Sequence, residues 1–172
     1  MNFKGHVTGG GISSAIVFTA ASFTGVSFLE ISHPIVLAAV CFFMSLFPDF
    51  DTASIPQRWF YRFSIVSFIY LYSIDQYQLL AVFSILSITP LLHKHRGWTH
   101  WKITPVFISL SIIAFYDYQI SIDGLLNSKL SSEYIIFNTI SNYLLFIAAA
   151  TIGHYTHLFL DSKFFKNAFD HH

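Results

Sequence analysis

Six apolar runs make up most of the chain, and each would be apolar around its whole circumference if it formed a helix. A surface helix of a soluble protein would carry polar residues at the helical period. The composition agrees, because 54% of the residues are hydrophobic and only 10% are charged. We therefore predict an all-α fold, a polytopic membrane helix bundle. The runs are Ile12 to Leu29, Pro34 to Phe47, Phe60 to Ile74, Tyr77 to Leu92, Ile103 to Tyr116 and Tyr134 to Leu160.

The lengths of these runs leave the individual crossings open. Several are shorter than the ~20 residues that cross a bilayer comfortably, so a short run either spans fully or re-enters the same face. A very apolar soluble helical domain is the alternative to a membrane bundle. The sequence has no internal repeat, no linker and no sign of a second domain. We therefore predict one membrane-embedded domain over residues 1–172.

Basic residues indicate the orientation, because eight of the nine fall on one side of a six-crossing topology. An excess of lysine and arginine marks the cytoplasmic side, so we place both termini in the cytoplasm of a bacterial inner membrane. A cleaved signal peptide ending near residues 20–22 is the alternative, but it would leave five crossings and spoil this asymmetry. The net charge of zero gives no basic face for nucleic acid. The basic residues on that side are Lys4, Arg58, Arg62, Lys94, Arg96, Lys102, Lys163 and Lys166.

The same topology collects most of the potential metal ligands on the cytoplasmic side. In the segment GHYTHLFLD, three of these residues share one helix face within about 60°, taking ~100° per residue. A histidine and a carboxylate one turn apart form a two-point clamp for a divalent cation, although ordinary surface pairs look the same. The three are His154, His157 and Asp161.

Two further segments bring polar residues to this side. FPDFD offers Asp49 and Asp51 after the second run, either as cation ligands or as capping and turn residues. In HKHRGWTH, Gly97 favours a turn that aims His100 into the site. The same turn would direct Arg96 at a phosphate or carboxylate, whose geometry guanidinium matches. The tryptophans and lysines around it are equally typical of headgroup-level anchors.

Nitrogen and oxygen ligands without sulfur suit zinc, manganese or iron, and we favour zinc, as one or two ions. The single cysteine, Cys41, lies inside an apolar run, where we expect it to be a core residue. A GxSxG motif is absent, so no serine nucleophile competes with a metal. The predicted metal ligands are His6, Asp49, His100, His154, His157 and Asp161.

These motifs, in this order, resemble the YdjM-like family of inner-membrane proteins, which are described as LexA-binding and as metal-dependent hydrolases. The resemblance rests on the early His6, the PDFD block, HRGWTH and GHYTHLFLD, and it covers nearly the whole chain. Trp101 departs from it, because the family more often carries serine there. A fainter likeness is to zinc-dependent phospholipase C and related nucleases. It implies five direct ligands, His6, Asp49, His100, His157 and Asp161, with Asp161 bridging two ions.

The resulting hypothesis is hydrolysis of an ester or phosphoester at the cytoplasmic membrane face by this one metal-dependent hydrolase-like domain, with a lipid or a small phosphoester as substrate. Asp51 would orient a ligand or accept the proton of the attacking water. Arg96 would stabilise negative charge on the substrate, and His95 would donate a proton to the leaving group. Two alternatives stay open. One is a non-enzymatic membrane protein with a structural or sensing metal site, and the other is a regulatory scaffold that binds a cytosolic protein partner.

Overall fold

The computed structural model describes residues 3–23, 31–51, 54–92, 98–126 and 132–162, and side chains within 5–23, 31–50, 54–90, 98–116 and 141–162. Every regular element in these ranges is helical, which confirms the all-α part of the prediction. Three short 3₁₀ helices, Phe47–Asp51, Thr89–Leu92 and Trp98–His100, connect the longer ones. The α-helices are α1 (Phe3–Ser22), α2 (Pro34–Leu46), α3 (Ile55–Ser73), α4 (Tyr77–Ile88), α5 (Thr104–Leu126) and α6 (Ser132–Leu160).

Proline and capping residues set several helix ends. Pro34 begins α2, where its missing N–H costs nothing, and Nδ1 of His33 accepts a hydrogen bond from the Ile35 amide at 3.3 Å. Ser54 caps α3 by accepting from the Gln57 amide at 3.1 Å. Pro48 follows the last turn of α2, where the chain tightens into a 3₁₀ helix. The segment that carries Asp49 thus lies between the end of α2 and the capped start of α3, and the Ser54 hydroxyl donates to the Asp49 carbonyl at 2.8 Å.

Three helices, α1, α2 and α6, pack together as the centre of the described fold, with α5 against α6 and α3 paired with α4. Their contact buries an apolar cluster that includes Leu37, Cys41 and Ala149. Cys41 is fully buried among these residues, as expected of a core residue. A second cluster, built around Phe47, Phe50 and other residues near the end of α2, packs the Asp49 segment against α3, α5 and α6.

Glycine permits the closest contacts between these central helices. A Cβ atom on Gly153 of α6 would overlap the backbone carbonyl of Cys41 in α2, and one on Gly10 of α1 would overlap the Ser45 hydroxyl. Membrane helices commonly use small residues for such approach. Gly11 faces open space instead. The triplet at 9–11 therefore lies within α1, and two of its members are close-packed.

Helix length and hydropathy support fewer crossings than the sequence suggests. One described helix, Ser141–Leu160, is long and apolar enough to cross a membrane, and the pair Pro34–Phe50 with Ile55–Ser73 passes the same test together at a bend of 114°. The apolar stretches Tyr77–Ile88 and Thr104–Tyr116 are shorter. At 1.5 Å per residue a 12-residue helix reaches ~18 Å, against ~30 Å of hydrocarbon. Six full crossings are therefore not confirmed.

Candidate metal centre

One end of the helix bundle gathers side chains from four separate segments. His6 lies in the first turns of α1, Asp49 follows α2, and His100 precedes α5. His157 and Asp161 lie at the end of α6. Among the described residues, His6, His157 and Asp161 each offer a ligand atom within 4.8 Å of the other two.

His157 is the centre of this cluster and is fully buried. Its Nε2 lies 3.7 Å from Oδ2 of Asp161 and 3.8 Å from Oδ1 of Asp49. Nε2 of His6 lies 3.2 Å from the other Asp161 oxygen, Oδ1. Asp161 thus faces both imidazoles, one with each carboxylate oxygen.

A backbone hydrogen bond fixes the orientation of His157. Its Nδ1 lies 2.8 Å from the carbonyl oxygen of Ser45 and donates to it, because a carbonyl only accepts. That carbonyl is accessible for a local reason. Pro48 has no N–H, so the 3₁₀ turn after α2 cannot supply its i+3 donor to Ser45. The bond turns Nε2 toward the two aspartates.

The second ring nitrogen of His157 has the properties of a metal-ligand atom. Within the part of the chain that the structure describes, Nε2 is buried and has no hydrogen-bond partner. Its carboxylate neighbours lie beyond hydrogen-bonding distance. Ligands held ~2.1 Å from one zinc ion stand ~3.4 Å apart in a tetrahedron, and the carboxylate oxygens here lie slightly farther from Nε2, at 3.7 and 3.8 Å. Metal-binding histidines typically donate their other N–H to a carbonyl or carboxylate, as His157 does.

His6 completes the cluster from the opposite helix. Its ring stacks on that of His157, with centroids 4.1 Å apart and planes inclined by 15°. The hydrogen bond with His6 also holds the pKa of the Asp161 carboxyl well below its usual range. Asp161 is therefore ionised and is a good cation ligand.

His100 lies beside the cluster rather than inside the group of three. Its ring meets that of His157 edge to face at a centroid distance of 5.7 Å. Its Nδ1 lies 3.2 Å from the hydroxyl of the buried Thr99. Thr104 holds the same turn by donating to the carbonyl of Trp98. His100 is therefore near enough to border a bound ion or its substrate.

His154 has a different environment from His157, although both lie on the same face of α6. It is fully buried, and its Nε2 lies 3.1 Å from the carbonyl of Trp101 and donates to it. Its Nδ1 is buried with no hydrogen-bond partner among the described residues. The structure does not include His154 in the group of three. Its predicted role as a ligand stays a prediction, now restricted to Nδ1.

The three predicted catalytic residues are not placed with the cluster. Asp51 ends the 3₁₀ helix that carries Asp49, but its side chain is outside the described part. His95 and Arg96 lie wholly outside the described residues. Their roles stay predictions. Sequence reasoning in turn missed the two carbonyl groups, of Ser45 and Trp101, that orient the histidines of α6, because a backbone acceptor leaves no residue signature.

The described fold and cluster define an apolar helical protein with histidine and aspartate gathered at one end. The family model of the YdjM inner membrane protein matches residues 1–164, and the chain belongs to that family. The match confirms the resemblance noted from the motifs. It also supports an inner-membrane location. Neither a curated protein nor a solved structure matches the chain.

Proposed function

We propose that this protein is a metal-dependent hydrolase of the bacterial inner membrane. It would act on an ester or phosphoester at the cytoplasmic face. The observation that carries the proposal is the buried Nε2 of His157, fixed by the Ser45 carbonyl and aimed between the carboxylates of Asp49 and Asp161. An imidazole held in this way is prepared to donate its lone pair to a cation.

The donor set fits a divalent ion of intermediate softness. Two imidazoles, from His6 and His157, and the Asp161 carboxylate suit zinc, with manganese and iron as alternatives. Asp49 adds a fourth donor beside His157. Such an ion would supply Lewis acidity, lowering the pKa of a water molecule and polarising a substrate oxygen. As the sequence predicts, the site would hold one or two such ions.

The chain's own residues would position and protonate the reactants. The reaction adds a water oxygen to the carbonyl carbon or phosphorus, breaks the bond to the leaving oxygen and moves one proton to that oxygen. His100, edge-on to His157, borders the place where a substrate would sit. Asp51 as proton acceptor, His95 as proton donor and Arg96 as the partner of developing negative charge complete the proposal from the sequence.

The membrane arrangement remains part of the proposal. The distribution of basic residues supports a cytoplasmic site with both termini on that side. Trp101 is 62% exposed although it lies one residue from His100, as expected of an interfacial anchor. The site would then lie at headgroup depth, where lipid esters and small cytosolic phosphoesters both have access.

Metal analysis tests whether the candidate centre binds an ion. Protein purified in detergent without chelator should carry zinc, manganese or iron in stoichiometric amount by inductively coupled plasma mass spectrometry. His157→Ala should lose that metal. His33→Ala is the matched control, because His33 lies at the opposite end of α2, ~20 Å away for a 13-residue helix. Equal metal content in the wild-type protein and His157→Ala would refute the centre.

Turnover then separates an enzyme from a structural site. The metal-loaded wild-type protein and the Asp161→Ala variant are both assayed with 4-nitrophenyl esters and bis(4-nitrophenyl) phosphate. Lost hydrolysis in an Asp161→Ala protein that still unfolds cooperatively, no earlier than the chelated wild-type protein, supports catalysis. Bound metal with no hydrolysis, together with unfolding of Asp161→Ala, would show instead that the ion is structural.

A further inference from the structure

An apolar pocket lies next to the candidate metal centre and plays no part in holding a metal. Its volume is about 470 Å³, within the ~300–1,000 Å³ typical of small-molecule sites. It lies between α1, α2, α3 and α4, and all ten lining residues are apolar or aromatic. Six of them are Phe42, Phe43, Leu46, Phe50, Trp59 and Phe60.

The pocket and the metal centre are built from the same chain segments. Val7 lines the pocket and follows His6 in α1, whereas Leu46 follows Ser45, whose carbonyl orients His157. Phe50 lines it and follows Asp49. Neighbouring Cα atoms are ~3.8 Å apart, so three walls of the pocket adjoin three parts of the centre. The pocket therefore lies against the segments that carry the metal centre, and in α1 and α2 its lining side chains are ~100° around the helix from the neighbouring residues of the centre.

The lining selects a particular kind of occupant. A peptide segment would bring amide groups that need hydrogen-bond partners, and these apolar walls offer almost none. A hydrocarbon chain has no such requirement. Trp59 and Phe63 are about two-thirds exposed, so the pocket is open toward the surroundings of the helices. In an inner-membrane protein, lipid chains are the hydrocarbon available there.

Positive charge flanks the same opening. The guanidinium carbon of Arg62 lies 5.5 Å from the centroid of the Trp59 ring, and Arg58 is exposed one turn earlier in α3. Arginine beside an interfacial tryptophan suits a phosphate group at headgroup level. The apolar walls, the two arginines and the adjoining centre together match an amphiphile with a negatively charged head.

We propose that the pocket binds one acyl chain of an anionic glycerophospholipid, with the ester or phosphoester linkage at the metal centre. The substrate class is then a phospholipid rather than a small cytosolic phosphoester. The reaction rests on the proposed function, whereas the binding does not. The pocket should hold the lipid whether or not a metal is present.

Photo-crosslinking tests the binding directly. The full-length protein is reconstituted in phosphatidylcholine vesicles that contain phosphatidylglycerol with a diazirine near the end of one acyl chain. After irradiation, peptide mass spectrometry should find the label concentrated on the pocket residues of α2 and α3. Leu46→Trp, which fills the pocket, should lower that labelling several-fold. Leu110→Trp is the control, because Leu110 is an exposed apolar residue of α5 outside the lining.

A second measurement tests the preference for a negatively charged headgroup. Unlabelled phosphatidylglycerol should suppress pocket labelling of the wild-type protein more than the same amount of phosphatidylcholine does, and Arg62→Gln should abolish this preference. Labelling spread evenly over exposed faces such as Ile65 and Ile85 would overturn the proposal, because it would report surrounding lipid only.

The metal variant separates this proposal from the proposed function. Asp161→Asn should retain wild-type labelling of the pocket. If the label is found there and the purified protein binds no metal, the lipid site stands and the hydrolase does not. If metal binds and the pocket remains unlabelled, the hydrolase stands and the phospholipid substrate is refuted.

Discussion

Replacing Gly153 with alanine should push two central helices apart. The new Cβ would overlap the Cys41 carbonyl, which is backbone and cannot rotate away. Over-packing of this kind costs ~1–3 kcal/mol. The change also gains ~0.5–1 kcal/mol, because alanine is favoured over glycine inside a helix. We expect a net destabilisation of ~0–2.5 kcal/mol from these two terms.

Gly11→Ala isolates the gain in helix propensity from the steric overlap. A Cβ at Gly11 meets nothing within 4 Å, and this residue is also inside a helix. We expect this variant to be as stable as the wild-type protein or more stable by ~0.5–1 kcal/mol. The difference between the two variants should therefore be ~1–3 kcal/mol, which comes from the contact alone.

The assay is thermal unfolding in one detergent, followed by circular dichroism, with metal content measured on the same samples. For a chain of this size ~1 kcal/mol corresponds to ~2–4 °C. Gly153→Ala should also bind metal more weakly. Cys41 lies one helical turn before Ser45, so separation of α2 and α6 stretches the bond that orients His157. Equal unfolding temperatures for the two variants would refute the close contact.

Three further outcomes follow from the site. Treatment with a chelator should lower the unfolding temperature of the wild-type protein and leave His157→Ala unchanged, because only a metal that binds the folded state stabilises it. His154→Phe should destabilise by ~0.5–1.5 kcal/mol, since it removes one hydrogen bond to the Trp101 carbonyl, which keeps its bond from the Thr104 amide, and it should retain more metal than His157→Ala. Asp161 has a lowered pKa in the folded chain, so its contribution to stability is complete above its ordinary pKa of ~3.9 and is lost as pH falls through the lowered value. Acid titration of chelated protein should therefore destabilise the wild-type protein more than Asp161→Asn, and parallel curves would contradict this.

Much of the helical organisation could be predicted from the apolar runs. The predicted run Tyr134 to Leu160 corresponds to α6, and Pro34 begins α2 as written in the sequence. The length of an apolar run does not show whether its helix crosses the membrane. Apolar residues serve a membrane span and a buried helix equally well, so the run beginning at Tyr77 has the composition of a crossing although its helix is only 12 residues long.

The grouping of the candidate metal ligands could be predicted in outline. Successive crossings run in opposite directions, so the segments that carry these residues fall on one side of the bundle. The topology predicts that His6, Asp49 and Asp161 lie on this side, and in the structure they lie beside His157 or each other. The separate environment of His154 could not be predicted. His154 and His157 differ by one turn on the same face, and their difference depends on which carbonyl each meets across the helix contact.

Helix α2 links the features on which the proposals rest. Its residues point in three directions within two turns. Cys41 meets α6 at Gly153, Ser45 meets α1 at Gly10 and orients His157, and Leu46 lines the apolar pocket. A rotation of α2 about its axis would change all three contacts together. The contact with Gly153 therefore fixes the position of both the Ser45 carbonyl and the pocket wall at Leu46, because all three lie on one rigid helix.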